Sequence, residues 1–293
     1  MVVAATGFFD GVHVGHQAVL DCLVKTAQSY GAKSEVISFW PHPRTVLQKD
    51  AARFRLLTSL EEKRERILQE GVDDFHVIPF TKAFSQVSTR SFFTDYLKDV
   101  FHVEVLVAGY NHRLGKDAPR SVAAMQEEAR AAGLKVVEVP EFLLPNGDGV
   151  SSTKIRAALS EGLVETAAGW LGYPYQLHGV VVEGNKIGRT MGFPTANMCL
   201  YEPLKQLPAN GVYHVEVQLP EGTYQGMTNI GFRPTMGNHT ERTIETHIFD
   251  FDEDIYGCAL KIKFLKRLRP EIAFPSLDAL KEQLRKDKEA LLL

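Results

Sequence analysis

Cysteine is scarce in this chain. Three are spread over 293 residues, at Cys22, Cys199 and Cys258, and none belongs to a CxxC pair. That spacing argues against a disulfide framework and against a zinc site, and it fits a reducing compartment. Long apolar runs are missing too. No stretch reaches the ~18 residues that a membrane span requires. Positive charge is not in excess: 33 Lys and Arg stand against 36 Asp and Glu, a net charge of −3. No basic stretch is interleaved with aromatics, so a nucleic-acid partner is not expected. The opening MVVAATGFF is too short and too uncharged for a secretory leader. No internal repeat or low-complexity segment appears. The expectation is a cytoplasmic protein with neither a membrane nor a nucleic acid as partner.

What is present is ordinary for a globular protein, with 44% hydrophobic and 24% charged residues. At ~150 residues per domain the length suggests two domains. Up to about Gly172 the pattern alternates. VVAAT, SEVISFW, FHVIPF, VEVLVAG and LKVVEVP read as buried strands. Between them lie helical stretches: HQAVLDCLVKTAQSYG closed by Gly31, TSLEEKRERILQEG capped by Thr58 or Ser59, STRSFFTDYLKDVF, and PRSVAAMQEEARAAG with Pro119 near its start. This alternation implies βαβ units and a parallel sheet covered on both faces. SSTKIRAALSEG and LVETAAGWLG then read as two short helices. Beyond residue 172 short strands follow one another, separated by Gly and Pro: LHGVVVEGN, GVYHVEVQL, TYQGMTNIGF, TIETHIFDF and CALKIKFLKRL. They suggest an antiparallel barrel with the helical tail SLDALKEQLRKDKEALLL packed on it. The expected domains are 1–172 and 173–293.

Three stretches carry chemistry. In ATGFFDGVHVGHQAVL a strand ends and a helix begins around two imidazoles, His13 and His16. Gly7, Gly11 and Gly15 clear side chains from the loop, so a phosphate can approach the backbone. The loop also lies beyond the carboxyl end of a strand, where open α/β sheets bind ligands. His13 and His16 share one face of the first turn and can donate to a phosphoryl oxygen as its charge grows. That layout suits attack on an α-phosphate with pyrophosphate leaving. The plainer alternative is that one histidine caps the helix and the other packs. The second stretch, GVSSTKIRAAL, offers Ser151, Ser152, Thr153, Lys154 and Arg156 to β- and γ-phosphates, or forms a simple helix cap. The third, GNKIGRTMGFPTAN, combines Gly184, Gly188 and Gly192 with Lys186 and Arg189, as a triphosphate loop would. Thr195 and Asn197 are oxygen donors two positions apart, on one side if extended, and of the kind a hard cation accepts. A Gly-rich hairpin is the alternative. The acidic run Asp250, Asp252, Glu253 and Asp254 reads as a solvated turn.

GFFDGVHVGHQ and SSTKIR, with SFWPHP and LLTSLEEK between them, resemble the nucleotidyltransferase motifs of the prokaryotic bifunctional riboflavin kinase/FAD synthetase family. GRTMGFPTAN, LPANGVYHVEV, TNIGFRPT, ETHIFDFDEDIYG and LRPEIAFPSLDALKEQLRKD resemble its kinase motifs in order, so the likeness covers nearly the whole chain. The resemblance implies a Rossmann-like FMN adenylyltransferase domain, then a six-stranded β-barrel that phosphorylates riboflavin. ATP, riboflavin, FMN and FAD are the implied substrates and products, with Mg²⁺ as cofactor. Carried over by motif, His13 and His16 stabilise the adenylyl transition state. Gly7, Phe8 and Gly15 adjoin the nucleotide phosphates, and Ser152, Thr153 and Arg156 hold the leaving pyrophosphate. His42 lies close to the flavin or the ribose, and Asn111 by the flavin. In the barrel, Gly184, Lys186 and Gly188 adjoin ATP, Thr195 and Asn197 bind Mg²⁺, and Glu245 is the general base. One segment, AGYNHRLGKDAPR, departs from the pattern: Asn111 fits it, whereas His112, Leu114 and the DAPR loop do not. Two other readings stay open. The first half could adenylylate a different acceptor, or it could be an inactive transferase in a flavin-binding regulator.

Overall fold

The computed structural model describes every residue except 49–53, 111, 120, 185–187, 189–191, 235–239 and 293. Five apolar runs of the first half form a parallel sheet: β1 (Val2–Thr6), β2 (Lys33–Trp40), β3 (Asp74–Pro79), β4 (Val103–Gly109) and β5 (Lys135–Val139). Their order is β3-β2-β1-β4-β5. The connecting helices are α1 (Val14–Tyr30), α2 (Pro43–Leu47), α3 (Leu60–Gln69), α4 (Thr89–Ser91) and α5 (Val122–Ala131). Successive strand residues reach opposite faces. Val3 and Ala5 pack with Leu20, Leu23 and Ala27 of α1, while Ala4 packs with Ile37, Phe93 and Leu106. Burial on both faces is why these strands read as unbroken apolar runs.

Helix limits follow local chemistry. Gly31 ends α1 in the left-handed region, at φ 59°. Ser59 and Glu62 close a reciprocal capping box at the start of α3. Two helices differ from expectation. α5 starts later than Pro119, because the Ser121 hydroxyl accepts from Ala124 N and sets the cap there. The stretch after α4 continues as a π-helix, Phe92–Lys98, in which Asp99 N donates to Thr94 O.

Two short helices follow, α6 (Ser152–Glu161) and α7 (Val164–Leu171), and the second unit begins at Thr153 within α6. Its strands are β6 (Gln176–Val182), β7 (Ala196–Leu200), β8 (Gly211–Leu219), β9 (Gly222–Pro234), β10 (Thr240–Ile248) and β11 (Ala259–Arg269), followed by α8 (Leu277–Leu292). They close a six-stranded antiparallel barrel in the order β10-β7-β6-β11-β8-β9. Leu177, Val215, Val217, Leu260, Ile262 and Phe264 are buried. α8 is held by Leu284 and Leu291 against Val212, Met227 and Phe249, and by an Arg269–Asp287 ion pair at 2.9 Å. β7 is the strand that the alternation did not separate. It has five residues and one buried side chain, so it carries almost no periodic signal.

By packing, the chain divides after Ser152, so both short helices group with the barrel. The composition shift near residue 172 comes later because α6 and α7 still read as helices. Yet Ala209 N donates to Leu159 O, and Arg267 Nη1 donates to Glu161 O. Among the described residues, no helix is long and apolar enough to cross a membrane.

Candidate active sites

β1 and β4 are adjacent, and their following loops diverge. That divergence is a switch point of the kind at which open α/β sheets bind ligands. A cavity of about 530 Å³ lies there. One wall is the loop after β1, with Thr6, Gly7, Phe8, Phe9 and His16. The other is the loop after β4, with Gly109 and 112–116. Its depth is aromatic, lined by Phe39, Phe80, Phe84 and Phe92.

The histidines meet at the mouth of α1. His13 is the N-cap, and its Nδ1 accepts from His16 N at 3.4 Å. Its ring stacks on that of His16, with centroids 3.7 Å apart. Capping and pairing are therefore both true of His13. Nδ1 is an acceptor, so a neutral His13 carries its proton on Nε2. His16 Nδ1 is buried and has no hydrogen-bond partner among the described residues. Burial first, then His13, then Lys63 hold the His16 imidazole well below its ordinary value. That shift favours the neutral form of the ring.

The loop between β1 and α1 is strained and pinned. Phe9 and Val12 have φ of 50° and 38°, a region that non-glycine residues avoid. The Asp10 carboxylate accepts from Leu57 N at 2.9 Å and Thr58 N at 3.2 Å, and Gly11 N donates to Thr58 Oγ1. The Ser152 hydroxyl donates to Asp10 O at 2.9 Å. The glycines make room for neighbouring rings. A Cβ on Gly15 would come within 3.3 Å of the His13 ring, and one on Gly7 within 3.1 Å of the Phe9 ring.

Other expected residues are placed as follows. His42 caps α2 through Nδ1, and its ring lies between Phe8 and Phe54 at centroid distances of 3.9 and 4.3 Å. It is not among the residues lining the cavity, although Phe8 is. Asn111 lies outside the described residues. His112 lines the cavity, and its Nε2 is 2.9 Å from Thr6 Oγ1. Burial pushes this imidazole down to about 4. The altered loop is anchored: Asp117 accepts from Thr89 N at 2.7 Å, and a Cβ on Gly115 would collide with the Thr89 backbone. Thr153 is exposed and Arg156 half-buried, both on α6.

The barrel gathers its own set. Glu245 of β10 pairs directly with Asn197 of β7, so the two side chains share a face. A Cβ on Gly184 would come within 2.1 Å of Asn197 Nδ2, and one on Gly188 within 2.3 Å of Phe193 O. Gly188 is thus required by the approach of backbone, whereas a side chain at Gly184 would have to displace the Asn197 amide. Thr195 lines a cleft with Asp252, Glu253, Asp254 and Tyr256, so the exposed acidic run also borders a concavity. Neither Asn197 nor Glu245 lines that cleft. His247 Nδ1 donates to Pro194 O at 2.9 Å, which ties β10 to the GFPTAN segment. Lys186 and Arg189 lie outside the described residues.

Sequence reasoning did not find the aromatic depth of the cavity, the Asp10–Thr58 lock or the roles of His112 and His247. Each depends on residues far apart in the chain. The positive φ of Val12 left no sequence signal at all.

Residues 1–154 match the FAD synthetase family model, and residues 171–292 match the riboflavin kinase model. A bifunctional riboflavin kinase/FMN adenylyltransferase of Listeria monocytogenes is 39% identical over 98% of this chain and 90% of its own length. Its namesakes in Bacillus subtilis and Escherichia coli are 38% and 34% identical, each also over 98% of this chain and 90% of their own. The crystal structure of a macrolide-efflux protein from Streptococcus pneumoniae superposes with a TM-score of 0.89 at 32% identity, covering 98% of this chain and 92% of that one. A histidine pair at a sheet switch point and a GFPTAN barrel, in this order and at this identity, assign the chain to the bifunctional riboflavin kinase/FMN adenylyltransferase family.

Proposed function

We propose that the barrel transfers the γ-phosphoryl group of ATP to riboflavin, and that the α/β half then transfers AMP from a second ATP to FMN. In the second reaction an FMN phosphate oxygen attacks the α-phosphorus, the bond to the β-phosphate bridging oxygen breaks, and pyrophosphate leaves. The observation that carries this reading is His16: a neutral imidazole stacked on the helix cap and facing a cavity with aromatic walls. We assign its proton to Nε2, which gives the ring one donor for a phosphoryl oxygen. His13 holds its Nδ1 as acceptor at the cap and stacks on His16, and its part in binding the phosphoryl group is carried over by motif. Charge developing on the α-phosphoryl oxygens meets donors that need no reorganisation. Ser152, fixed to the loop through Asp10, is the expected pyrophosphate ligand already joined to that loop; Thr153 and Arg156 complete the set by motif. The aromatic depth suits a planar ring system such as isoalloxazine.

In the barrel, Glu245 takes the proton of the riboflavin 5′-hydroxyl as that oxygen attacks the γ-phosphorus and ADP leaves. Thr195 and Asn197 fit Mg²⁺. Both are neutral oxygen donors, as suits a cation held mainly by nucleotide phosphates and water, and Gly184 leaves room for the Asn197 amide. When bound, Mg²⁺ neutralises phosphate charge. We keep the functional border at 172/173, with domains 1–172 and 173–293. Three separate, unpaired cysteines support a cytoplasmic location.

Chromatography of full-length protein with riboflavin, ATP and Mg²⁺ tests the whole reading. FMN should appear first, and then FAD with pyrophosphate. FMN alone would mean an inactive first half. Adenylylation of phosphopantetheine in place of FMN would mean a different acceptor.

A further inference from the structure

Lys63 is the most deeply buried charged side chain described, with no exposed surface. It sits one residue beyond the capping box of α3, where its own N–H donates to Ser59 O. Its side chain runs beneath the loop after β1. Nζ donates to Phe8 O at 2.9 Å and to Ser38 Oγ at 3.3 Å, and it lies 3.7 Å from the centroid of the Phe8 ring. Two hydrogen bonds and a ring face together use the three N–H groups of an ammonium. Among the described residues it forms no ion pair with a carboxylate. The titratable groups that act with it electrostatically are Asp10 and His16.

A buried cation without a carboxylate partner is expensive. Packing alone would be served better by a methionine or leucine, so the charge calls for another reason. Its position supplies one. Phe8 lines the cavity, and Lys63 grips Phe8 by both its carbonyl and its ring.

We propose that Lys63 is a positioning residue for adenylyl transfer: its ammonium locks the Phe8 end of the histidine loop and adds a buried positive potential beside His16. The proposal rests on the adenylyltransferase reading of this site. It acts in two ways. Losing the grip on Phe8 lets the loop drift, and misplacement of a reacting group by about 1 Å costs up to about a hundredfold in rate. Losing the charge weakens the field in which phosphoryl oxygens gain negative charge. Burial lowers the Lys63 amine to about 8, with Asp10 opposing. The charge is therefore lost within an accessible range of pH.

The test is the pH profile of FAD formation from FMN and ATP, from about pH 6.5 to about 9.5, in full-length protein. Riboflavin phosphorylation by the same samples serves as control. In the unaltered protein kcat should fall above about pH 8. Lys63→Met should lower kcat at about pH 7.5 by about ten- to hundredfold, move KM for ATP less than about threefold, and erase that decline. Lys63→Arg should keep most of kcat and carry the decline beyond the range, because a guanidinium stays charged. A Lys63→Met profile of unchanged shape, or a loss confined to KM, overturns the proposal. So does a profile of the unaltered protein that is flat to about pH 9.5, whether or not any variant folds. In each of these cases FAD is still made and the adenylyltransferase reading stands. Unaltered protein that makes no FAD sinks the reading and the proposal together.

Discussion

The α/β half and the barrel half both prepare a place for nucleotide phosphates, but from different materials. The first uses buried polar groups. Thr58 and Lys63, just before and within α3, and the half-buried Ser152 at the start of α6 converge on the loop that carries Asp10, and that loop holds Phe9 and Val12 at positive φ. The barrel uses space and register. Gly184 and Gly188 let strands and loops close on Asn197 and Phe193, and the β7–β10 pairing sets Glu245 opposite Asn197. Chemistry in the first half therefore depends on protonation states and long-range packing. On the proposed reading, the second depends on backbone approach and one carboxylate.

Removing the carboxylate should give the largest effect. Glu245→Gln keeps size and hydrogen bonding but removes the basic site, so kinase kcat should fall by ~10²–10⁴, with little change in ATP affinity. Glu241→Gln, four residues away on the same strand, should cost far less. Steady-state phosphorylation of riboflavin reads both. If Glu241→Gln proves the damaging change, the wrong carboxylate has been chosen.

His16→Ala is the counterpart in the first half. FAD formation should drop about a hundredfold, the usual scale for a lost preorganised donor, while phosphorylation stays near normal. Equal loss of both activities in a folded variant would undo the separation of roles.

A smaller change probes the use of space. Gly184→Ala would drive a Cβ into the Asn197 amide. Kinase activity should fall about tenfold, because displaced groups rather than lost ones are at stake. Adenylylation of supplied FMN should be unaffected. Unchanged kinase activity would show that Asn197 can move aside without consequence.

Much of this was readable beforehand. Strands buried on both faces announce themselves as apolar runs, and GVHVGH stands where a sheet offers its ligand site. The barrel was harder. Five strands alternate clearly, but β7 follows the glycine-rich stretch with one buried residue, and only family likeness supplied the sixth. Candidate site residues could be named from the sequence where one short motif holds them. Residues brought beside the cavity from afar gave no such signal, as Lys63 on α3 and Phe84 show. His112 stood out as a departure, but its bond to Thr6, 106 residues earlier in the chain, could not be read from spacing.

His112 also gives the finest test of the comparison. Its ring is held at about 4 by burial, against an ordinary value of 6.5. The unfolded chain thus binds this proton more readily than the folded one. The stabilising contribution is complete above about 6.5 and is lost as pH falls toward 4. Between pH 7 and pH 5 it accounts for at most about 2 kcal/mol. His16 is shifted in the same direction, so the α/β half should weaken in mild acid. His112→Phe keeps the ring and removes the titration. At pH 7 it should cost about 1 kcal/mol, because Thr6 Oγ1 loses its partner. Denaturant melts at pH 7 and pH 5, with FAD formation and riboflavin phosphorylation marking which half has been lost, measure the difference. In the unaltered protein the adenylyltransferase half should be the more acid-sensitive, and His112→Phe should narrow the gap. An unchanged gap would move the acid sensitivity to His16. A gap of opposite sign would mean that His247, also held below its ordinary value by burial, dominates and that the barrel is the more proton-sensitive half.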